Sequence, residues 1–127
     1  MLLATKNPEL DKVDKPTAVT VKYALVVEYD GANYYGFQLQ ADLPTIQSEL
    51  EKALKALTGE SIRVAASSRT DTGVHAYAQV ASFKTTSSLP LEAFVHGLNY
   101  HLPADIAVKA AYPVRLDFDP RRLAANR

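Results

Sequence analysis

Val21-Lys22-Tyr23-Ala24-Leu25-Val26-Val27-Glu28-Tyr29-Asp30 sets how the rest of the chain is read. Val21, Tyr23, Leu25, Val27 and Tyr29 alternate with Lys22, Ala24, Val26, Glu28 and Asp30. A period of two, rich in β-branched and aromatic residues, specifies a half-buried strand. Asp30-Gly31 breaks it, and a loop rich in Tyr, Gly and Gln runs on through Gln40. Thr45 then offers a helix cap, with Glu49 in the first turn. Ile46, Leu50, Ala53, Leu54 and Leu57 recur at helical spacing until Gly59 supplies a stop, so the spacing predicts a helix over 45–58.

Further out, Ile62 to Ala66 is a short apolar strand, Ser67 to Gly73 is polar and turn-like, and Tyr77 to Thr85 reads as a third strand. A second helix is expected over 90–99. Pro90 suits its first turn, and Leu91, Phe94, Val95 and Leu98 form one apolar stripe. Ile106, Val108, Ala110 and Tyr112 alternate with Ala107, Lys109 and Ala111 as a fourth strand. The order β-α-β-β-α-β is the split unit of ferredoxin-like α+β folds, an antiparallel sheet with two helices on one face and the other face left available.

Composition narrows the chemistry. Of 127 residues, 47% are apolar and 22% charged, which excludes a chain disordered throughout. The absence of cysteine removes disulfides, thiolate nucleophiles and cysteine-ligated zinc. Fourteen basic residues balance fourteen acidic ones. Nucleic-acid binders usually carry a positive excess, so any such role rests on local arrangement or on a partner. The start of the chain is no signal peptide, and no stretch approaches the ~20 apolar residues of a membrane span. A cytoplasmic protein with no membrane partner is therefore expected. Residues 1–20 read as a flexible N-terminal arm before a domain over 21–127.

The informative segment is Ser68-Arg69-Thr70-Asp71-Thr72-Gly73-Val74-His75-Ala76, between the second and third strands. Arg69, two positions from Asp71, would keep that carboxylate ionised and available as nucleophile or base. Gly73 permits a turn or the close approach of a ligand. On the residues alone, Ser, Thr and Asp in a loop more commonly make local turn hydrogen bonds. His75, four residues after Asp71, lacks the further ligands a metal site needs. His96 reads as a solvated helix residue and His101 as a loop residue. Tyr34, Tyr35 and Phe37 either pin their loop to the core or offer stacking surfaces. Arg121, Arg122 and Arg127 form a small basic tail, solvated or in contact with phosphate.

The nonapeptide resembles the catalytic motif of the tRNA pseudouridine synthase A family, G-R-T-D-A-G-V-H-A, with Ser68 and Thr72 as the two departures. Tyr29-Asp30-Gly31 with Tyr35-Gly36-Phe37-Gln38-Leu39-Gln40 resembles that family's Y-D-G and Y-x-G-[W/F]-Q-x-Q signatures. Thr45-Ile46-Gln47 with Leu50 to Leu54 resembles its first helix. Asn99, Leu102-Pro103 and Asp105 to Val108 resemble N-x-x-L-P-x-D-I-x-V, and Phe118, Arg121, Ala124 and Arg127 resemble F-x-x-R-x-x-A-x-x-R.

The resemblance implies isomerisation of uridine to pseudouridine in the anticodon stem-loop of tRNA, with Asp71 as the catalytic carboxylate. It also implies roles for Arg69, Thr70, His75 and Gln38 in RNA binding or loop support. Arg69 would either fill the space of the flipped base or hold phosphate. The C1′–N1 bond breaks, the uracil turns and C5 bonds to C1′, so no metal, organic cofactor or redox change is required. Attack on the sugar and elimination from it both remain open, and either needs the base out of its stack. Family enzymes are homodimers and carry a second, related half with further active-site residues. The chain therefore reads as an amino-terminal domain truncated before that half. The alternative is a non-catalytic ferredoxin-like RNA-binding module, although Tyr77 to Phe83 lacks the aromatic order of an RRM third strand. A regulatory or oligomerisation domain of the same fold would leave Arg69-Thr70-Asp71 unexplained.

Overall fold

Four antiparallel strands and two helices make up the computed structural model, which describes residues 19–67 and 76–122. β1 (Val21–Tyr29) is central. It pairs with β3 (Ala76–Thr85) on one side and β4 (Ile106–Val114) on the other. The two-residue β2 (Ala65–Ala66) lies on the far edge of β3, giving the order β2-β3-β1-β4. Leu25, Val27 and Tyr29 are buried beneath α1 (Ile46–Thr58) and α2 (Ala93–His101), as the alternation of β1 requires. This is the ferredoxin-like arrangement expected from the sequence.

The boundaries have local causes. The Ser48 amide donates to the Thr45 hydroxyl at 3.1 Å and the Thr45 amide donates to the Ser48 hydroxyl at 2.9 Å, a reciprocal cap with serine in the usual place of glutamate. Gly59 ends α1 in the left-handed region, at φ 80°, where a Cβ would be strained. The second helix begins at Ala93 rather than Pro90, because the Ala93 and Phe94 amides donate three residues back to Pro90 and Leu91 in tight turns. It also runs to His101, which is thus a helix residue, exposed like His96. Gly97 lets the helices approach closely, since a Cβ there would lie 2.7 Å from Leu57 Cδ1.

The second strand is shorter than Ile62 to Ala66. Ile62 and Val64 instead bury their side chains in the core while only Ala65 and Ala66 join the ladder. Between sheet and helices, Phe94 packs its ring 5.0 Å from Tyr23 and 5.5 Å from Phe83.

The face turned away from the helices is partly covered. After β4 the chain folds back, and Lys22 Nζ donates to the carbonyls of Leu116 and Phe118. Pro120 is fully buried, and Arg121 arrives beside Ala65 and Ala66 on the opposite edge. Ala24 and Ser82, on this face by register, are accordingly buried. No helix among the described residues is long and apolar enough to cross a membrane.

One polar contact ties the end of α1 to the end of β3. The Thr86 amide and hydroxyl donate to Glu60 Oε2 at 3.1 and 2.6 Å, and the Thr85 hydroxyl donates to Oε1. Burial pushes the Glu60 carboxyl up, but the donors from Thr85 and Thr86 outweigh it and leave the pKa lowered. A lowered folded pKa contributes stability that is present above the unfolded value of about 4.3 and is lost as pH falls through the folded value. Glu60→Gln should therefore cost about 1 kcal/mol at neutral pH, the small figure reflecting partial solvent screening. Thermal melts at neutral pH and near pH 3 check this. The gap between variant and parent should close in acid, and a gap independent of pH would assign the cost to packing.

Candidate functional site

At one end of the sheet Tyr29 is the register partner of both Ala76 and Ile106, and the Asp30 amide donates to the Asp105 carbonyl at 2.9 Å. The Ser67 amide donates to the Val80 carbonyl at 2.7 Å, four residues along β3 from Ala76. The connection holding the nonapeptide thus leaves β2 beside the middle of β3 and enters β3 at the end where the loop after β1 begins. Arg69, Thr70, Asp71 and His75 lie outside the described residues. Beneath this end the Tyr29 hydroxyl donates to Gln79 Oε1 at 2.5 Å, both side chains being buried.

The loop from Asp30 to Thr45 is fixed by its own hydrogen bonds. Asp30 caps a 3₁₀ turn over Gly31–Asn33 by accepting from the Ala32 amide at 3.0 Å. The Tyr34 hydroxyl and Asn33 Nδ2 both donate to the Asp105 carboxylate, at 2.5 and 3.3 Å. Burial, then this bond, raises the Tyr34 pKa well above its usual value, so the phenol keeps its proton and its role as donor. Gly36 sits at φ 83°, and the first amides of α1 reach back to this loop: Ile46 to the Gly36 carbonyl and Gln47 to the Phe37 carbonyl, at 3.1 and 2.8 Å. Tyr34 and Phe37 are buried and pin the loop, whereas Tyr35 is exposed.

Gln38 lies exposed beside buried Phe37, on the rim of a pocket of about 330 Å³. Gln47, Arg63, Ala66 and Arg121 share its lining. Gln47 Oε1 accepts from the Leu39 amide at 2.9 Å, and its Nε2 donates to Glu51 at 2.8 Å. Glu51 in turn accepts from the Val64 amide at 2.9 Å. Loop, helix and approach to β2 are thereby locked together, and the pocket walls have fixed spacing. The Arg121 side chain is largely in solvent, as a solvated tail would be, while also bordering the pocket. It pairs with Asp119 at 2.9 Å, and its hydrogen bond holds the Asp119 carboxyl down at about 2.

Residues 25–121 match the sequence profile of the family described as tRNA pseudouridine synthase. The chain belongs to that family. It is 46% identical over 103 residues to a tRNA pseudouridine synthase A of Acetivibrio thermocellus, covering 81% of this chain and 42% of the relative. Against the protein of the same name from Myxococcus xanthus it is 51% identical over 98 residues, 77% of this chain and 37% of the relative. For Pelobacter propionicus the figures are 52% over 96 residues, 76% and 39%. The chain spans about two-fifths of the length of these curated relatives.

Set against the tRNA pseudouridine synthase family, what the described residues offer is the Gln38 loop, its pocket and the two residues, Ser67 and Ala76, that flank the motif segment. No three His, Asp or Glu side chains cluster among the described residues. Reading the residues alone passed over Gln47, Glu51, Asp105 and Asn99 as participants. Asn99 holds the start of β4 by donating to the Val108 carbonyl and accepting from its amide, at 2.9 and 2.7 Å. The signal available was a helix-face glutamine and glutamate four apart, at the spacing that makes neighbours on a helix.

Proposed function

We propose that this chain is the amino-terminal catalytic domain, over residues 21–127, of a tRNA pseudouridine synthase that isomerises uridine in the anticodon stem-loop. Asp71 is its catalytic carboxylate. The observation that carries this reading is the meeting of the family match with topology. In sequence, the nonapeptide matching the family's catalytic motif runs between Ala66, which lines the Gln38 pocket, and Ala76, the register partner of Tyr29 where the Asp30 loop starts.

In this reading the target nucleotide leaves its stack and reaches Asp71, which attacks C1′ or assists elimination there. Arg69 keeps the carboxylate ionised and holds phosphate or the vacated space, and Thr70 and His75 support the segment. Gln38 contacts RNA from the facing loop. Uracil is cleaved, turned and rejoined with no net redox change, so the chain's own side chains supply the chemistry. The whole protein acts in the cytoplasm as a homodimer.

The test is tritium release from tRNA labelled at uridine C5, using the full-length protein. Stoichiometric release at anticodon-arm uridines, undiminished by a chelator, is expected. Tight tRNA binding without release would instead establish a non-catalytic RNA-binding module.

A further inference from the structure

We propose that a recess at the β2–β3 edge, reaching the helix-free side of the sheet, is a binding site for a backbone phosphate of RNA. Lys22, Arg63 and Lys84 line it with Ser61 and Ser82 over about 290 Å³, and no carboxylate is among its lining residues. Register explains the juxtaposition. Lys22 and Lys84 are direct partners across β1 and β3, and Ser82 lies two residues before Lys84, opposite Ala65 of β2. Phe83 turns the other way, onto Phe94, so Ser82 and Lys84 share the face away from the helices.

Two features of this recess are unfavourable in the empty protein. Like charges placed directly opposite across a strand pair repel. The carbonyls of Leu116 and Phe118 hold the Lys22 ammonium while leaving it a third N–H to offer. Arg63 faces Glu51 only at 3.7 Å, with most of its side chain in solvent. The second feature is Ser82 itself. It is 2% exposed, and its hydroxyl is the one buried side-chain polar group among the described residues without a hydrogen-bond partner. Such a group ordinarily finds a partner or is lost.

A phosphate diester answers both features at once: its charge offsets the lysine pair, and the Ser82 hydroxyl, sealed from solvent in the empty protein, rotates into the recess to donate to it. Cations and hydroxyls without a stacking ring or a bidentate amide read backbone rather than bases. Along β3, Ser82 is six residues from Ala76, about 20 Å at strand rise, so the recess is separate from the point where the motif connection enters that strand. A chain with no net charge gains a positive surface here by local placement. The identity of the ligand as tRNA rests on the function proposed above; the recess and its charge do not.

The experiment uses the full-length protein and its Lys84→Gln and Ser82→Ala variants. Filter binding of tRNA across a salt series should show affinity reduced about 3- to 10-fold for Lys84→Gln, with the salt slope shallower by about one. Amide-shift titration with inorganic phosphate should move Ser82 to Lys84 in the parent protein. Ser82→Ala should bind phosphate more weakly yet melt at a higher temperature, a combination that a purely structural serine would not give. Unchanged tRNA affinity and slope in Lys84→Gln would overturn the proposal, even if free phosphate still bound. If the full-length protein formed no pseudouridine while the slope fell as expected, the isomerase reading would fail and the phosphate site would stand.

Discussion

Asp71→Asn in the full-length protein is expected to lower pseudouridine formation by on the order of 10⁴ or more, as for loss of an essential nucleophile. Asparagine keeps the size and most of the hydrogen-bonding capacity of aspartate while removing the charge. Both routes at C1′ need that charge, one to form the bond to the sugar and one to take the proton. Affinity for tRNA should change far less, because phosphate contacts supply most of it and a carboxylate makes none. Tritium release and filter binding on one preparation, with a thermal melt to verify folding, separate these effects. Near-normal release by a folded Asp71→Asn protein would demote Asp71 to a loop residue and favour the RNA-binding module.

The largest stability effect is expected at Phe94. Its ring is wholly buried between Tyr23 and Phe83, so Phe94→Ala removes contacts to the sheet and leaves a cavity that strands cannot close. Such truncations cost about 3–5 kcal/mol, against a total stability of about 5–15 for a domain. The melting midpoint should fall by roughly 15 °C or more. Tyr112→Ala is the control. Tyr112 is 54% exposed on the helix-free face, and surface changes of this kind stay within about 0.5 kcal/mol. Circular dichroism melts of the two variants would refute the packing argument if their midpoints fell equally.

What was legible in the sequence was what short-range periodicity encodes. Alternation along Val21–Tyr29 located the central strand, and Thr45 and Gly59 marked α1 nearly to the residue because capping is a local transaction between neighbours. The start of α2 was misjudged because Pro90 suits a first helical turn and a tight turn equally well. At β2, apolar Ile62 and Val64 looked like ladder residues, yet burial does not require backbone pairing, and only Ala65 and Ala66 pair.

The candidate site was legible by motif and illegible by construction. Gln38 could be singled out, but the Gln47–Glu51–Val64 chain that fixes its surroundings joins residues 13 positions apart through a backbone amide, which no spacing rule reports. Arg121 is exposed, as a basic tail residue would be, but its place beside Ala65 and Ala66 at the pocket joins residues distant in sequence. Nothing in the sequence distinguishes Ser82 from any other strand serine. Only the returning chain after β4 makes it a dry hydroxyl beside paired lysines.

That returning chain also sets an order of events during synthesis. Of the described strands β1 leaves the ribosome first, yet its two hydrogen-bonding edges wait for β3 and then β4, and Lys22 waits for a carbonyl 96 positions later. Contacts of such sequence separation carry the greatest loop-closure entropy and form late. Until Phe118 and Pro120 have emerged, Ala24 and Ser82 stay hydrated and the central strand shows a wet side to the cell. The helix-packed half of the domain thus matures first, and within the described residues the lysine-bearing surface takes its final shape last.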